Sequence, residues 1–301
     1  MKLASSARIA PAIMRIQQGV LTIKNTIAST QVLEELIHNL SAEFPVSELE
    51  KIGNSSKLSS FSSKIVVNGL YFKYPKNDNF ELSDVNLIIE QGEFCALVGP
   101  SGGGKSTVVD LILGVINPLS GSILISGMVP QKVFKLFKGK VGYVPQEVHI
   151  LDGTIAENVS FYETPDYKEI DVAIRNAQLQ QLVEELPEKL DTYIGEKGTR
   201  LSGGQRQRIG IARALYTDPE LIILDEATSA LDGNTEAEIS KTLHSLKGKK
   251  TLVVIAHRLS TVKDADKVVY IDGGKIIAQG TFDEVRSAVP DFDKQAKLLR
   301  L

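Results

Sequence analysis

An apolar run, FCALVG, leads into the loop Gly99-Pro100-Ser101-Gly102-Gly103-Gly104-Lys105-Ser106-Thr107, and the apolar stretch VVDLILG follows at once. Strand, glycine-rich loop and helix in that order leave few architectures open. Glycines let the backbone curl until successive N–H groups point inward at phosphate oxygens, and the helix N-terminus beyond adds positive potential. In this Walker A pattern Lys105 is placed to bridge β- and γ-phosphates, Ser106 to offer a hydroxyl to Mg2+, and Thr107 to bond the α-phosphate. A plain strand-to-helix turn accounts for the glycines. It does not account for a Lys-Ser pair at the register where both reach phosphate.

From Lys64 onward the runs FCALVG, VGYVPQ, ELIILD, TLVVIAH and KVVYID are apolar almost throughout. Strands buried on both faces have this composition, so the runs predict a parallel sheet covered by helices. Between Thr154 and Leu190 the chain reads as helical, with no run of that kind, which predicts a helical subdomain inserted at about residues 147–215. Ligands of open α/β sheets bind beyond the carboxyl ends of the strands. Four residues fall there: Lys105 after FCALVG, Gln146 ending VGYVPQ, Asp225 ending ELIILD and His257 ending TLVVIAH. Singly, a Gln can cap a turn, an Asp can cap a helix and a His can be structural. Together they supply what phosphoryl transfer requires, charge compensation and an aligned nucleophile. Asp225 is expected to hold Mg2+, directly or through water, and Glu226 to orient and deprotonate the attacking water. Gln146 is expected to sense Mg2+ or the γ-phosphate, and His257 to contact the γ-phosphate.

Leu201-Ser202-Gly203-Gly204-Gln205 precedes a helical run, RQRIGIARALY, so Ser202 and two glycine N–H groups fall at a helix N-terminus, a ready anion site. With the Walker A loop upstream and Asp225-Glu226 downstream, the chain from about Lys64 to its end resembles the nucleotide-binding domains of ABC transporters. LSGGQ is similar to the family signature, Ser229-Ala230-Leu231-Asp232 to its D-loop and His257 to its switch histidine. Tyr74, in FKYP, matches the aromatic that stacks on adenine. The resemblance implies ATP hydrolysis with Mg2+. It also implies two such domains packed head to tail, as a homodimer or a heterodimer. Ser202, Gly203, Gly204, Gln205 and Asp232 of one chain would then meet ATP held by the partner's Lys105. The expected architecture is α/β: a P-loop NTPase core over 64–301 with a mostly parallel sheet, an antiparallel β-rich N-terminal part and the inserted helical subdomain.

Ahead of that core, Ile9, Ile13, Ile16, Val20, Ile23 and Ile27 alternate at spacings of four and three, one stripe of a helix. A helical segment is therefore expected over 1–40, followed by a linker over 41–63 that carries eight serines. Residues 1–28 hold Lys2, Arg8, Arg15 and Lys24 and no acid, which suits the cytosolic edge of a membrane and equally a solvated helix face. No stretch reaches the ~20 apolar residues that span a bilayer, so the chain alone is expected to be soluble. A single cysteine, Cys95, excludes an internal disulfide, and a net charge of −3 gives no reason to expect nucleic acid as a partner. The segments ARIAPAIMRIQQ, QEVHILDGTIAEN and Gly195-Glu196-Lys197-Gly198 resemble exporters, the first the cytosolic tail of a last membrane helix, and bacterial lipid or lipid-linked sugar flippases among them. That resemblance implies an exporter motor on the cytoplasmic face of the plasma membrane, its transmembrane domain truncated or on another chain. A soluble ATPase of the same type, uncoupled from transport, is the alternative.

Overall fold

The chain divides into two compact units, Met1–Ser60 and Phe61–Leu301. The computed structural model describes Met14, residues 17–19, Thr22, Lys24 and Ser60 of the first. Of the second it describes residues 61–75, 80–161, 165–195, 198–226, 233–256 and 262–298, the side chains of residues 234, 236 and 238 excepted. In the first unit, Met14, residues 17–19, Thr22 and Lys24 are helical and exposed, and Thr22 Oγ1 donates to the Gln18 carbonyl at 2.9 Å. The rest of the helical segment expected over 1–40, and the expected linker up to residue 59, lie outside the described residues.

Among the described residues of the second unit, nine strands form two sheets: β1 (Ile65–Lys73), β2 (Glu81–Ile89), β3 (Phe94–Val98), β4 (Ser120–Ile125), β5 (Val141–Val144), β6 (Leu221–Asp225), β7 (Thr251–Ile255), β8 (Lys267–Asp272) and β9 (Lys275–Gly280). The larger runs β5-β6-β7-β3-β8-β9 and is parallel except for the β8–β9 pair. Every residue of β3, β6 and β7 is buried, the physical reason these runs carry no polar alternation. The smaller sheet, β2-β1-β4, is antiparallel, and in β2 the buried Leu82, Val85, Leu87 and Ile89 alternate with more exposed neighbours.

Because successive side chains of a strand point to opposite faces, β6 is shared between two cores. Leu221 and Ile223 pack with Val108, Val109, Leu111 and Ile112 of the helix Lys105–Ile112 and with the inner face of the antiparallel sheet. Ile222 and Leu224 pack on the other side, under the helices Ile155–Ser160, Tyr167–Asn176, Gln180–Glu185 and Gly203–Leu215. The helices Phe282–Ala288 and Pro290–Leu298 cover Val268 and Tyr270 of β8. At the other end of the unit, Phe61 and Ser63 are buried, and Thr251 Oγ1 donates to Ser63 Oγ at 2.7 Å.

The turn between β8 and β9 joins the two sheets to the phosphate loop. The Gly274 carbonyl accepts from Ser83 N–H at 2.9 Å, and Gly274 N–H donates to the Gly103 carbonyl at 3.0 Å. Both turn glycines have left-handed φ, +52° at Gly273 and +74° at Gly274, but their surroundings differ. A Cβ on Gly273 meets nothing within 4 Å, whereas one on Gly274 would lie 1.7 Å from the Glu81 carbonyl oxygen. Gly273→Ala should therefore cost only the left-handed penalty of ~1–2 kcal/mol. Gly274→Ala should add an overpacking cost of ~1–3 kcal/mol to it. Urea unfolding of the two variants checks this; equal midpoints would contradict the stitching of the sheets through Gly274.

Candidate active site

Three strand ends deliver the site. β3 ends in the glycine loop, β6 ends at Asp225 with Glu226 next, and Gln146 lies two residues beyond the end of β5. Gly104, at φ 113° and ψ 5°, is the N-cap of the helix Lys105–Ile112 and lends it no side-chain cap. The first N–H groups of that helix thus stay available to a ligand. A Cβ on Gly104 would meet Leu82 Cδ2 at 2.8 Å and Phe80 Cζ at 3.1 Å, so the antiparallel sheet backs the loop closely.

Lys105 is only 5% exposed, and its Nζ donates to the carbonyls of Gly99 at 2.9 Å and Pro100 at 2.8 Å. Burial lowers its pKa, against the fields of Glu226 and Asp225. Asp225 is 7% exposed; burial raises its pKa first, then the charges of Glu226 and Asp110, with the Ser106 hydroxyl and Lys105 opposing. Ser106 Oγ donates to Asp225 Oδ1 at 3.5 Å. Around these groups lies a cavity of about 510 Å³, lined by Tyr74, Phe80, Ser101, Gly102, Gly104, Lys105, Ser106, Thr107, Gln146 and Glu226. Tyr74 is held edge-on to Phe72, ring centroids 4.8 Å apart, and its hydroxyl lies 3.4 Å from Thr107 Oγ1.

Glu226 has φ +48°, left-handed for a residue with a side chain. Gln146 Nε2 donates to its Oε2 at 2.8 Å, and Gln207 Nε2 to its main-chain carbonyl at 3.2 Å. Gln207 belongs to the helix Gly203–Leu215, whose N-cap is Ser202. There Ser202 Oγ accepts from Gln205 N–H at 3.2 Å and Gln205 Oε1 accepts from Ser202 N–H at 2.8 Å, a reciprocal capping box. At the far end of the helix Arg213 donates from Nε to the Asn158 carbonyl at 2.9 Å and from Nη1 to the His149 carbonyl at 3.0 Å. Its guanidinium also sits 4.5 Å from the centre of the Phe161 ring. The segment that follows Gln146 is thereby tied to the helix that begins at Ser202.

Residues 82–229 match the sequence pattern of the family described as "ABC transporter". The chain carries an ABC transporter domain. It is 39% identical over 239 residues to an ATP-dependent lipid A-core flippase of Burkholderia pseudomallei (strain 1710b), covering 78% of this chain and 40% of that protein. An uncharacterised ABC transporter ATP-binding protein of Bacillus subtilis (strain 168) is 40% identical over 243 residues, 80% of this chain and 42% of its own length. The fold matches a solved structure of a bacterial Atm1-family ABC exporter with ATP bound at a TM-score of 0.72 and 33% identity, over 80% of this chain and 43% of that one. The chain spans about 40% of the length of these two relatives. Among its described residues no helix is long and apolar enough to cross a membrane.

In this ABC domain Tyr74, Ser101, Gly102, Gly104, Lys105, Ser106, Thr107, Gln146 and Glu226, all singled out in the sequence, share one cavity. Gly99 and Pro100 join it through the lysine, Gly103 through its bond to Gly274, and Asp225 through Ser106. Ser202, Gly203, Gly204 and Gln205 are not among the residues lining it. His257, Asp232 and the rest of the expected D-loop lie outside the described residues, as do Glu196 and Lys197. Two participants have no signal in the sequence: Phe80, a single aromatic after a polar stretch, and Gln207, whose bond to Glu226 crosses 19 residues. The capping box yields a direct expectation. Ser202→Ala should cost about 1 kcal/mol of stability, whereas Ser202→Asp keeps an acceptor for Gln205 N–H and should stay within a few tenths. Thermal unfolding of the two variants checks it, and an unchanged midpoint for the Ala variant would contradict a stabilising cap.

Proposed function

We propose that this chain is the ATP-hydrolysing motor of an exporter, working at the cytoplasmic face of a membrane with a second nucleotide-binding domain and a transmembrane domain as partners. The observation that carries the reading is the meeting of Lys105, Ser106, Gln146 and Glu226 in one cavity with Asp225 directly behind Ser106. Export is drawn from what the similar proteins are named for, a lipid A-core flippase and an ABC exporter. Segment 195–198, similar in sequence to the exporter segment that touches the transmembrane domain, is the proposed contact with that partner.

In the proposed chemistry the adenine lies on Tyr74, whose ring Phe72 braces from behind. The N–H groups at the start of the helix Lys105–Ile112 and the Lys105 ammonium take the phosphates, and Thr107 bonds the α-phosphate. A hydroxyl and a carboxylate are hard oxygen donors, so Ser106 and Asp225 fit Mg2+, which binds through one or two carboxylates plus phosphate oxygens. When bound, the ion neutralises charge on the phosphate oxygens. Glu226, its Oε2 fixed by Gln146, orients a water and takes its proton as the water attacks the γ-phosphate, while the bond from the γ-phosphorus to the bridging oxygen breaks and ADP leaves. His257 would steady the γ-phosphate. The helix N-terminus at Ser202, Gly203 and Gly204, exposed at its first two residues, would close over ATP held by the partner, with Gln205 and Asp232 beside it.

General-base assistance contributes ~10²–10⁴ in rate, so Glu226→Gln should lose most of its hydrolysis. It should still bind ATP and should accumulate as an ATP-bound dimer. Phosphate release and size-exclusion chromatography with ATP give the two readouts. Turnover near the parental value would remove Glu226 from the role.

A further inference from the structure

Glu226 carries a conformational cost that its surroundings must hold in place. A residue with a Cβ in the left-handed region persists only where neighbouring groups over-determine it. Two glutamines from different elements meet Glu226, Gln146 at the carboxylate and Gln207 at the main-chain carbonyl. Gln207 is 3% exposed, and its helix otherwise buries Ile209, Gly210, Ile211, Ala212 and Ala214. A buried amide in such a row is unfavourable unless it is hydrogen-bonded, so packing alone gives no reason for this residue type. Gln146 and Gln207 also line one cavity of about 460 Å³ together with Gly203, at the start of the same helix.

We propose that Gln207 is a positioning residue: by donating to the Glu226 carbonyl it holds that backbone left-handed and keeps the carboxylate where Gln146 meets it. Through this bond the helix that starts at Ser202 is connected to the general base. The inference rests on the proposed role of Glu226, and the experiment separates the two.

Gln207→Met keeps the volume and loses the donor. In the full chain its kcat should fall by about 10- to 100-fold, the scale of a misplaced reacting group, with KM for ATP unchanged. Gln207→His, which returns an Nε2–H at nearly the same reach, should recover part of that loss. The decisive comparison is the background. Added to Glu226→Gln, the Gln207→Met change should reduce the residual rate no further, because the group it positions is already disabled. Parental kcat in Gln207→Met, or an equal further fall in the Glu226→Gln background, would overturn the proposal while leaving Glu226 as the base. Parental turnover in Glu226→Gln alone would instead overturn the reading on which the proposal stands. If Gln207→Met melts below the parent, Gln207→Asn, one methylene too short to reach the carbonyl, carries the same comparison.

Discussion

An ammonium group held almost out of water is the constraint around which this domain is arranged. Removing a charge of that size from solvent costs several kcal/mol unless other groups replace its hydration. Lys105 finds its replacements in the carbonyls of Gly99 and Pro100 and in the fields of Glu226 and Asp225. Each replacement makes a demand on the fold. For two consecutive carbonyls to face the lysine the loop must curl back on itself. The bond from Gly274 N–H to the Gly103 carbonyl then fixes the curl from outside. For the carboxylates to stand within range, β6 must end at the same edge of the sheet as β3, with β7 between them. Parallel pairing provides that common edge.

The same strand that brings Asp225 also binds the two halves of the domain together. Alternate residues of β6 belong to different cores, so the nucleotide side and the helical side share a rigid element. Arg213 and the fully buried Asn158 then hold the segment after Gln146 against the helix Gly203–Leu215. Asn158 accepts from Leu151 N–H and donates to the carbonyls of Leu151 and Thr154, which fixes the turn of that segment. The cavity wall at Gln146 and the Ser202 end of the helix consequently form one connected body in hydrogen-bonding terms.

Much of this arrangement is legible in the amino-acid sequence, for reasons that differ by residue. β3, β6 and β7 announce themselves because burial on both faces removes polar residues from the run. Lys105, Ser106, Glu226 and Gln146 stand out because strand ends of a parallel sheet share an edge, so position along the chain translates into position in space. What stays hidden depends on contacts between distant segments. The close approach of Gly274 to Glu81 follows from how the β8–β9 turn meets β2, which no local pattern records. Phe80, just ahead of β2, reaches the cavity wall, and Gln207 reaches the Glu226 carbonyl through the rotation of its helix. The left-handed φ of Glu226 is likewise set by its neighbours, since glutamate has no preference for it. Ser202 and Gln205 show the opposite case: the Ser-x-x-Gln spacing is a local capping pattern, and the structure forms it.

The phosphate cradle proposed at Ser202 would be redundant within a single chain beside the one proposed at Lys105, and it has a purpose if it closes over the nucleotide of a partner. Mixing two damaged chains tests that reading most directly. Lys105→Ala disables the nucleotide side of a site and Ser202→Arg the side offered to the partner, so each variant alone should hydrolyse almost no ATP. In a mixed dimer both lesions fall in the same composite site, and the other site retains an intact Lys105 and an intact Ser202. The shared-site account predicts that mixing the two inactive proteins restores part of the ATPase activity. No recovery, with cross-linking showing that mixed dimers have formed, would contradict it.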